Sequence, residues 1–164
     1  MSDRDSIKLK KLQNVGIGEF HTGSLPMTSI GLGSCVAVMI YDKKRGIGTM
    51  AHVMLPDNGG KCDRPGKYAN TAIPILINEL IQAGCQKRSL EAKIAGGASM
   101  FKSFKGNLDI GERNAAALRD LLQKHSIPIV GEDIGGTSGR SIHYFPLEKG
   151  RVKVKRADGT CIDI

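Results

Sequence analysis

A chain of 164 residues, 40% of them apolar, is long enough to close one hydrophobic core without staples, and no run in it approaches the roughly 18 apolar residues of a membrane-spanning helix. The net charge of +8 favours acidic partners, yet aromatic residues are only 4% of the chain and Trp is absent, which argues against the stacking platforms of a single-strand nucleic-acid binder. The four cysteines, Cys35, Cys62, Cys85 and Cys161, form no CxxC pair and have no histidine at zinc-ligand spacing, so free thiols are expected rather than a disulfide framework or a structural metal.

The start, "MSDRDSIKLKK", is charged and lacks the apolar stretch and cleavage site of a secretory signal, which predicts a cytoplasmic protein with a loose terminus over residues 1–14. Strand-like runs follow at Val15 to Phe20, Cys35 to Tyr41 and Gly46 to Leu55, the last two joined by the polar turn Asp42-Lys43-Lys44-Arg45 as a hairpin. Pro56 to Asn70, dense in Gly, Pro, Asn and Asp, reads as a long loop of the kind that is often functional. Helical spacing then sets in: Ile73, Leu76, Ile77, Leu80 and Ile81 share a face, Asn70 or Thr71 is the expected cap, and Gly84 ends the element.

Ser89 to Gly96 alternates as a strand, and a second helix is expected from about Gly111 to His125, with Ala115, Leu118, Leu121 and Leu122 facing inward. Beyond Pro128, "IPIVGED", "RSIHYF", "RVKVKR" and "TCIDI" read as short strands. The basic run Lys149 to Arg156 alternates with Val152 and Val154, which favours a solvated strand face over a phosphate-binding patch. Glycine, 21 residues, is well above the norm of about 7% and fits many tight turns. Two helices among eight or so short strands predict an α+β domain spanning residues 1–164, with mostly antiparallel or mixed sheets and the helices packed on one side.

Cys35 is the candidate nucleophile. A lone cysteine is ordinarily a small buried hydrophobe, but in "IGLGSCVAV" the glycines Gly31 and Gly33 permit a tight turn just before a strand, leaving the Ser34 and Cys35 N–H groups free for an oxyanion. A thiol with an ordinary pKa needs a base, and His52 in "MAHVMLP" is the other arm of the same hairpin, close enough to meet Cys35 across the ladder. Thr28 or Ser29, just upstream of the turn, offers a hydroxyl to orient the imidazole. His21 in a loop, His125 at a helix end and His143 in a late strand are weaker candidates, as are Cys62 in the long loop and the structural Cys85 and Cys161. Neither "GLGS" nor "GGAS" completes a nucleotide-binding loop; Gly96 to Phe101 is a tight turn or part of the same cleft.

"GLGSCVAV", "AHVMLPD", "GKYA", "KIAGGASMF" and "IGERN", in that order, resemble the chemoreceptor glutamine deamidase family, CheD, over nearly the whole chain. The resemblance implies a cytoplasmic protein-glutamine glutaminase that converts glutamine side chains of methyl-accepting chemotaxis receptors to glutamate and needs neither cofactor nor metal. It assigns the nucleophile to Cys35, the histidine to His52 and the third catalytic position, a threonine in the family, to Ser29, six residues before the cysteine. It also implies a fold like the catalytic domain of cytotoxic necrotizing factor toxins, with two packed β-sheets. Several members pair with the phosphatase CheC, which gives an alternative reading: a regulatory binding module, monomeric or in a hetero-complex, whose catalysis is secondary. Neither reading calls for nucleic acid or membrane insertion.

Overall fold

The computed structural model describes residues 12–99 and 109–164; the first eleven residues of the expected loose terminus and the "MF" of "GGASMF" lie outside them. Among the described residues, ten strands form two five-stranded sheets, in spatial order β1-β3-β8-β9-β10 and β2-β5-β4-β6-β7. Their ranges are β1 Gln13–Asn14, β2 Phe20–Gly23, β3 Met27–Leu32, β4 Val36–Asp42, β5 Ile47–Val53, β6 Leu90–Gly96, β7 Ile129–Ile134, β8 Arg140–Phe145, β9 Arg151–Arg156 and β10 Cys161–Asp163. Among the described residues, two α-helices, α1 (Ala69–Gln82) and α2 (Ile110–Lys124), complete the α+β architecture. Most neighbours are antiparallel, and the β1–β3 and β6–β7 pairs are parallel. None of the described helices is long and apolar enough to cross a membrane.

Strand β4 explains the layering. "VAVMIYD" is buried at every position because one face, Val36, Val38 and Ile40, meets α1 and α2, while the other, Ala37, Met39 and Tyr41, meets the first sheet. A strand covered on both sides reads as a continuous apolar run rather than an alternating one. Helices, second sheet and first sheet therefore stack as three layers around two cores. Truncating one of the fully buried helix residues, such as Leu76, would cost about 2–5 kcal/mol.

Several sequence boundaries shift. Val15 to Phe20 is not one strand: Gln13 and Asn14, assigned to the loose terminus, pair with Met27 and Thr28, and the chain turns before β2 begins at Phe20. His21 lies in β2 opposite Met50 rather than in a loop. The strand β3 was hidden in "MTSIGL" because glycine interrupts its pattern. Helix α1 begins at Ala69 without a side-chain cap. In place of one, the Leu55–Tyr68 bridge brings Leu55 and Pro56 carbonyls to the Ala69 and Asn70 N–H groups, and the Thr71 hydroxyl instead turns back to the Pro65 carbonyl at 2.6 Å. Helix α2 starts one residue earlier than expected because the Asp109 carboxylate caps the Glu112 N–H at 3.0 Å.

Candidate active site

The β4–β5 hairpin forms as the sequence implied, but its register pairs His52 with Ala37, so Cys35 lies one pleat beyond His52 rather than opposite it. Partners across a ladder share a face, as do residues two apart on a strand. Cys35 and His52 accordingly both face the space between the sheets, where half-buried Cys35 packs against the inter-sheet core and His52 is 2% exposed.

Sheet one supplies the third group. Ser29 on β3 is fully buried, and its Oγ lies 2.8 Å from His52 Nδ1 while donating to the Val15 carbonyl at 2.9 Å. A hydroxyl has one proton. Because that proton goes to Val15, Ser29 Oγ must accept from His52, which places the imidazole proton on Nδ1 and leaves Nε2 as a bare lone pair. His52 Nε2 is buried and has no hydrogen-bond partner among the described residues. Neighbouring Thr28 does not compete, since its hydroxyl is committed to the Ile142 carbonyl at 2.8 Å.

Burial pushes the His52 pKa below its ordinary value, against smaller opposing effects from the Val15 carbonyl and the Glu19 charge. It likewise pushes the Cys35 thiol up, opposed by its own backbone N–H. Both shifts favour neutral groups, so the resting pair is thiol and imidazole rather than thiolate and imidazolium.

Each of the three carbonyls of the turn before β4 is held by a donor. Ala98 N–H donates to the Gly33 carbonyl and Gly97 N–H to the Cys35 carbonyl, each at 2.9 Å, while Asn114 Nδ2 donates to the Ser34 carbonyl at 3.1 Å. Among the described residues the Ser34 and Cys35 N–H groups donate to no backbone carbonyl. This close strapping needs a glycine: Gly96 sits at φ 122°, and a Cβ there would collide with the Cys35 carbonyl. Of the two glycines expected to make the turn, only Gly31, at φ 70°, uses the left-handed region.

Beside the turn, a groove of about 500 Å³ is lined by Gly33, two residues before Cys35 in the chain, and by Ile30, Gly139, Arg140 and the basic end of β9, Lys155 and Arg156. The long loop after β5 is ordered by its own contacts, including the paired Asn58 and Asn70 amides and the Tyr68 hydroxyl donating to Asp63 at 2.8 Å. His125 ends α2, His143 faces outward from β8, Cys85 is buried, and Cys62 and Cys161 are exposed. Among the described residues no three His, Cys, Asp or Glu side chains are grouped to hold a metal ion. Two groups that touch the candidate residues or their turn escaped the sequence: the Val15 carbonyl, a backbone group that leaves no side-chain signature, and Asn114, which lies in "IGERN", a stretch that carried the resemblance and a helical pattern without singling out its asparagine.

The profile of the CheD family, described as CheD chemotactic sensory transduction, matches residues 54–156. The chain is 48% identical over 147 residues to the chemoreceptor glutamine deamidase CheD of Thermotoga maritima, covering 88% of this chain and 92% of that one. It is 44% identical to a probable chemoreceptor glutamine deamidase CheD of Clostridium kluyveri, over 91% of this chain and 94% of that one. A protein of the same description in Archaeoglobus fulgidus is 42% identical, over 88% and 93%. Among solved structures, a hypothetical protein, YfiH, of Bacillus licheniformis aligns with a TM-score of 0.46 at 17% identity, covering 70% of this chain and 49% of that one.

Proposed function

The chain belongs to the CheD family, and from that premise we propose that it is a cytoplasmic chemoreceptor glutamine deamidase whose catalytic groups are Cys35, His52 and Ser29. The observation that carries this reading is His52, held through Nδ1 by Ser29 on the face that Cys35 shares, with an Nε2 that has no partner among the described residues. A buried nitrogen without a partner is costly to fold around, and a base awaiting a proton gives that cost a purpose.

In the reaction His52 Nε2 takes the Cys35 proton as the sulfur attacks the glutamine carboxamide carbon, so no resting thiolate is required. The carbonyl oxygen becomes an oxyanion, for which the Ser34 and Cys35 N–H groups, which donate to no backbone carbonyl among the described residues, are suited. Protonated His52 then gives its proton to the departing nitrogen, and ammonia leaves a γ-glutamyl thioester on Cys35. Water, deprotonated by the same Nε2, adds to the thioester; the tetrahedral adduct expels the sulfur, which recovers its proton, and glutamate is released. Ser29 keeps the imidazole in the useful tautomer throughout. The basic groove suits a receptor helix bearing glutamates beside the target glutamine, and the loop between β5 and α1 would close over it.

The test is mass spectrometry of a receptor cytoplasmic fragment from the same organism after incubation with wild-type protein and with Cys35→Ala. Conversion of amide to acid by the wild type and not by the variant is expected. No conversion by folded wild-type protein would overturn the enzymatic reading in favour of a binding module that pairs with CheC.

A further inference from the structure

Asn114 on α2 is fully buried, and its amide orientation is fixed, because Nδ2 donates to two carbonyls: Ser34 at 3.1 Å and Met54 at 2.9 Å. Its Oδ1 has no partner among the described residues. These two carbonyls flank the reaction chemistry. Ser34 precedes Cys35; Met54 follows His52 by two residues and, continuing the β4–β5 register from the Val36–Val53 pair, lies opposite Cys35.

Peptide geometry gives the contact its consequence. In a planar trans peptide the carbonyl of one residue and the N–H of the next point in opposite directions. Holding the Ser34 carbonyl therefore aims the Cys35 N–H away from α2, just as the Ala98 N–H, by holding the Gly33 carbonyl, aims the Ser34 N–H. Of the donors that strap the three carbonyls of this turn, those to Gly33 and Cys35 are backbone groups; the donor to Ser34 is a side chain.

We propose that Asn114 is the positioning residue of the oxyanion site, setting the direction of the Cys35 N–H through the Ser34 carbonyl and tying the ends of β4 and β5 together through the Met54 carbonyl. It touches no reacting atom. The inference rests on the deamidase reading and adds to it the group that preorganises its electrostatic step. Removing an oxyanion donor outright costs about 100- to 1,000-fold in kcat, so losing control of its direction should cost about 10- to 100-fold.

The experiment compares wild type with Asn114→Asp, which keeps the shape but replaces the two-proton amide donor with a carboxyl group, and with Asn114→Ala, which removes both donors without adding an acid. Each is assayed for deamidation of the receptor fragment and, separately, for alkylation of Cys35 by iodoacetamide, a substitution that forms no oxyanion. The expected result is a kcat lowered about 10- to 100-fold, with KM and the alkylation rate within about twofold of wild type, in whichever variants keep the wild-type circular dichroism. Unchanged kcat, or alkylation falling in parallel with it, overturns the proposal. Unfolding of both variants also overturns it, making Asn114 a residue of structure alone. A wild type that alkylates at Cys35 but does not deamidate would overturn the deamidase reading, and this inference with it.

Discussion

Ser29 Oγ and His52 Nδ1 stand 2.8 Å apart across the interface of the two sheets, and the serine's own proton is spent on Val15. Ser29→Ala leaves Nδ1–H and the Val15 carbonyl without that partner and frees the imidazole to change tautomer. The expected outcome is a fall in kcat of about 10- to 100-fold with a loss of about 1–3 kcal/mol of stability, read by steady-state kinetics and urea denaturation. Ser29→Thr keeps the hydroxyl, and its extra methyl restricts χ1 in the strand. It should retain most of the activity, and a Thr variant as inactive as the Ala variant would show that the hydroxyl is not what matters.

The neutral resting pair sets the pH behaviour. His52 must be unprotonated to accept, and its pKa lies below 6.5, so kcat/KM should hold to below pH 6.5 before falling on the acid side. Cys35 titrates above 9.0, so the thiolate absorbance difference between wild type and Cys35→Ser should appear only above that pH. Stability follows the same window. A histidine with a depressed folded pKa binds its proton more readily in the unfolded chain, so stability drops as pH falls below 6.5; a thiol with a raised folded pKa lowers stability as pH rises past 9.0. A thiolate signal at neutral pH would contradict the neutral pair.

The hairpin was legible because its information is local: two apolar runs and a polar turn put Cys35 and His52 at the same end of one pair of strands. The helices were legible for the same reason, through their spacing. The residues offered Thr28 or Ser29 as the hydroxyl, and the choice of Ser29 came from resemblance, since nothing in "MTSIGL" reveals that β3 belongs to the opposite sheet and meets His52 there. The layering, Val15 and Asn114 were not legible, because each depends on packing between segments far apart in sequence, 80 residues in the case of Asn114 and Ser34. The expectation that Cys35 faces His52 failed by one pleat. Residue types place both on the hairpin, but only the ladder fixes its register.

Asp133 ties the sheets together at the end nearest the groove. From β7 it reaches Arg140 on β8 at 2.9 Å and Arg156 on β9 at 2.6 Å, both across the sheet interface. Burial would raise its pKa, but the Arg156 hydrogen bond and the two guanidinium charges outweigh it and hold the carboxyl below 3.8. The stability this confers is present above pH 3.8 and is lost on further acidification. Asp133→Ala should cost about 3 kcal/mol, the low end for breaking a buried pair, because Arg140 retains the Asp133, Gly135 and Ser138 carbonyls. A denaturation midpoint equal to wild type would refute the clamp.

Lys155 offers the sharpest test of how substrate is recognised. It is exposed and lines the groove that begins at Gly33, whereas Arg156 beside it is engaged by Asp133. Lys155→Glu should therefore change binding without disturbing the fold or the chemistry. If glutamates of the receptor helix run along the groove, reversing this charge replaces attraction with repulsion of about 1 kcal/mol, raising KM about fivefold at low salt with kcat unchanged. Salt should erase the difference, because the charges are solvent-exposed and screened over about 10 Å at moderate ionic strength. The control is Lys44→Glu, an equal change of net charge in the β4–β5 turn, at the other end of the hairpin from Cys35. An equal rise in KM from Lys44→Glu would mean that overall charge, and not the groove, draws the receptor in.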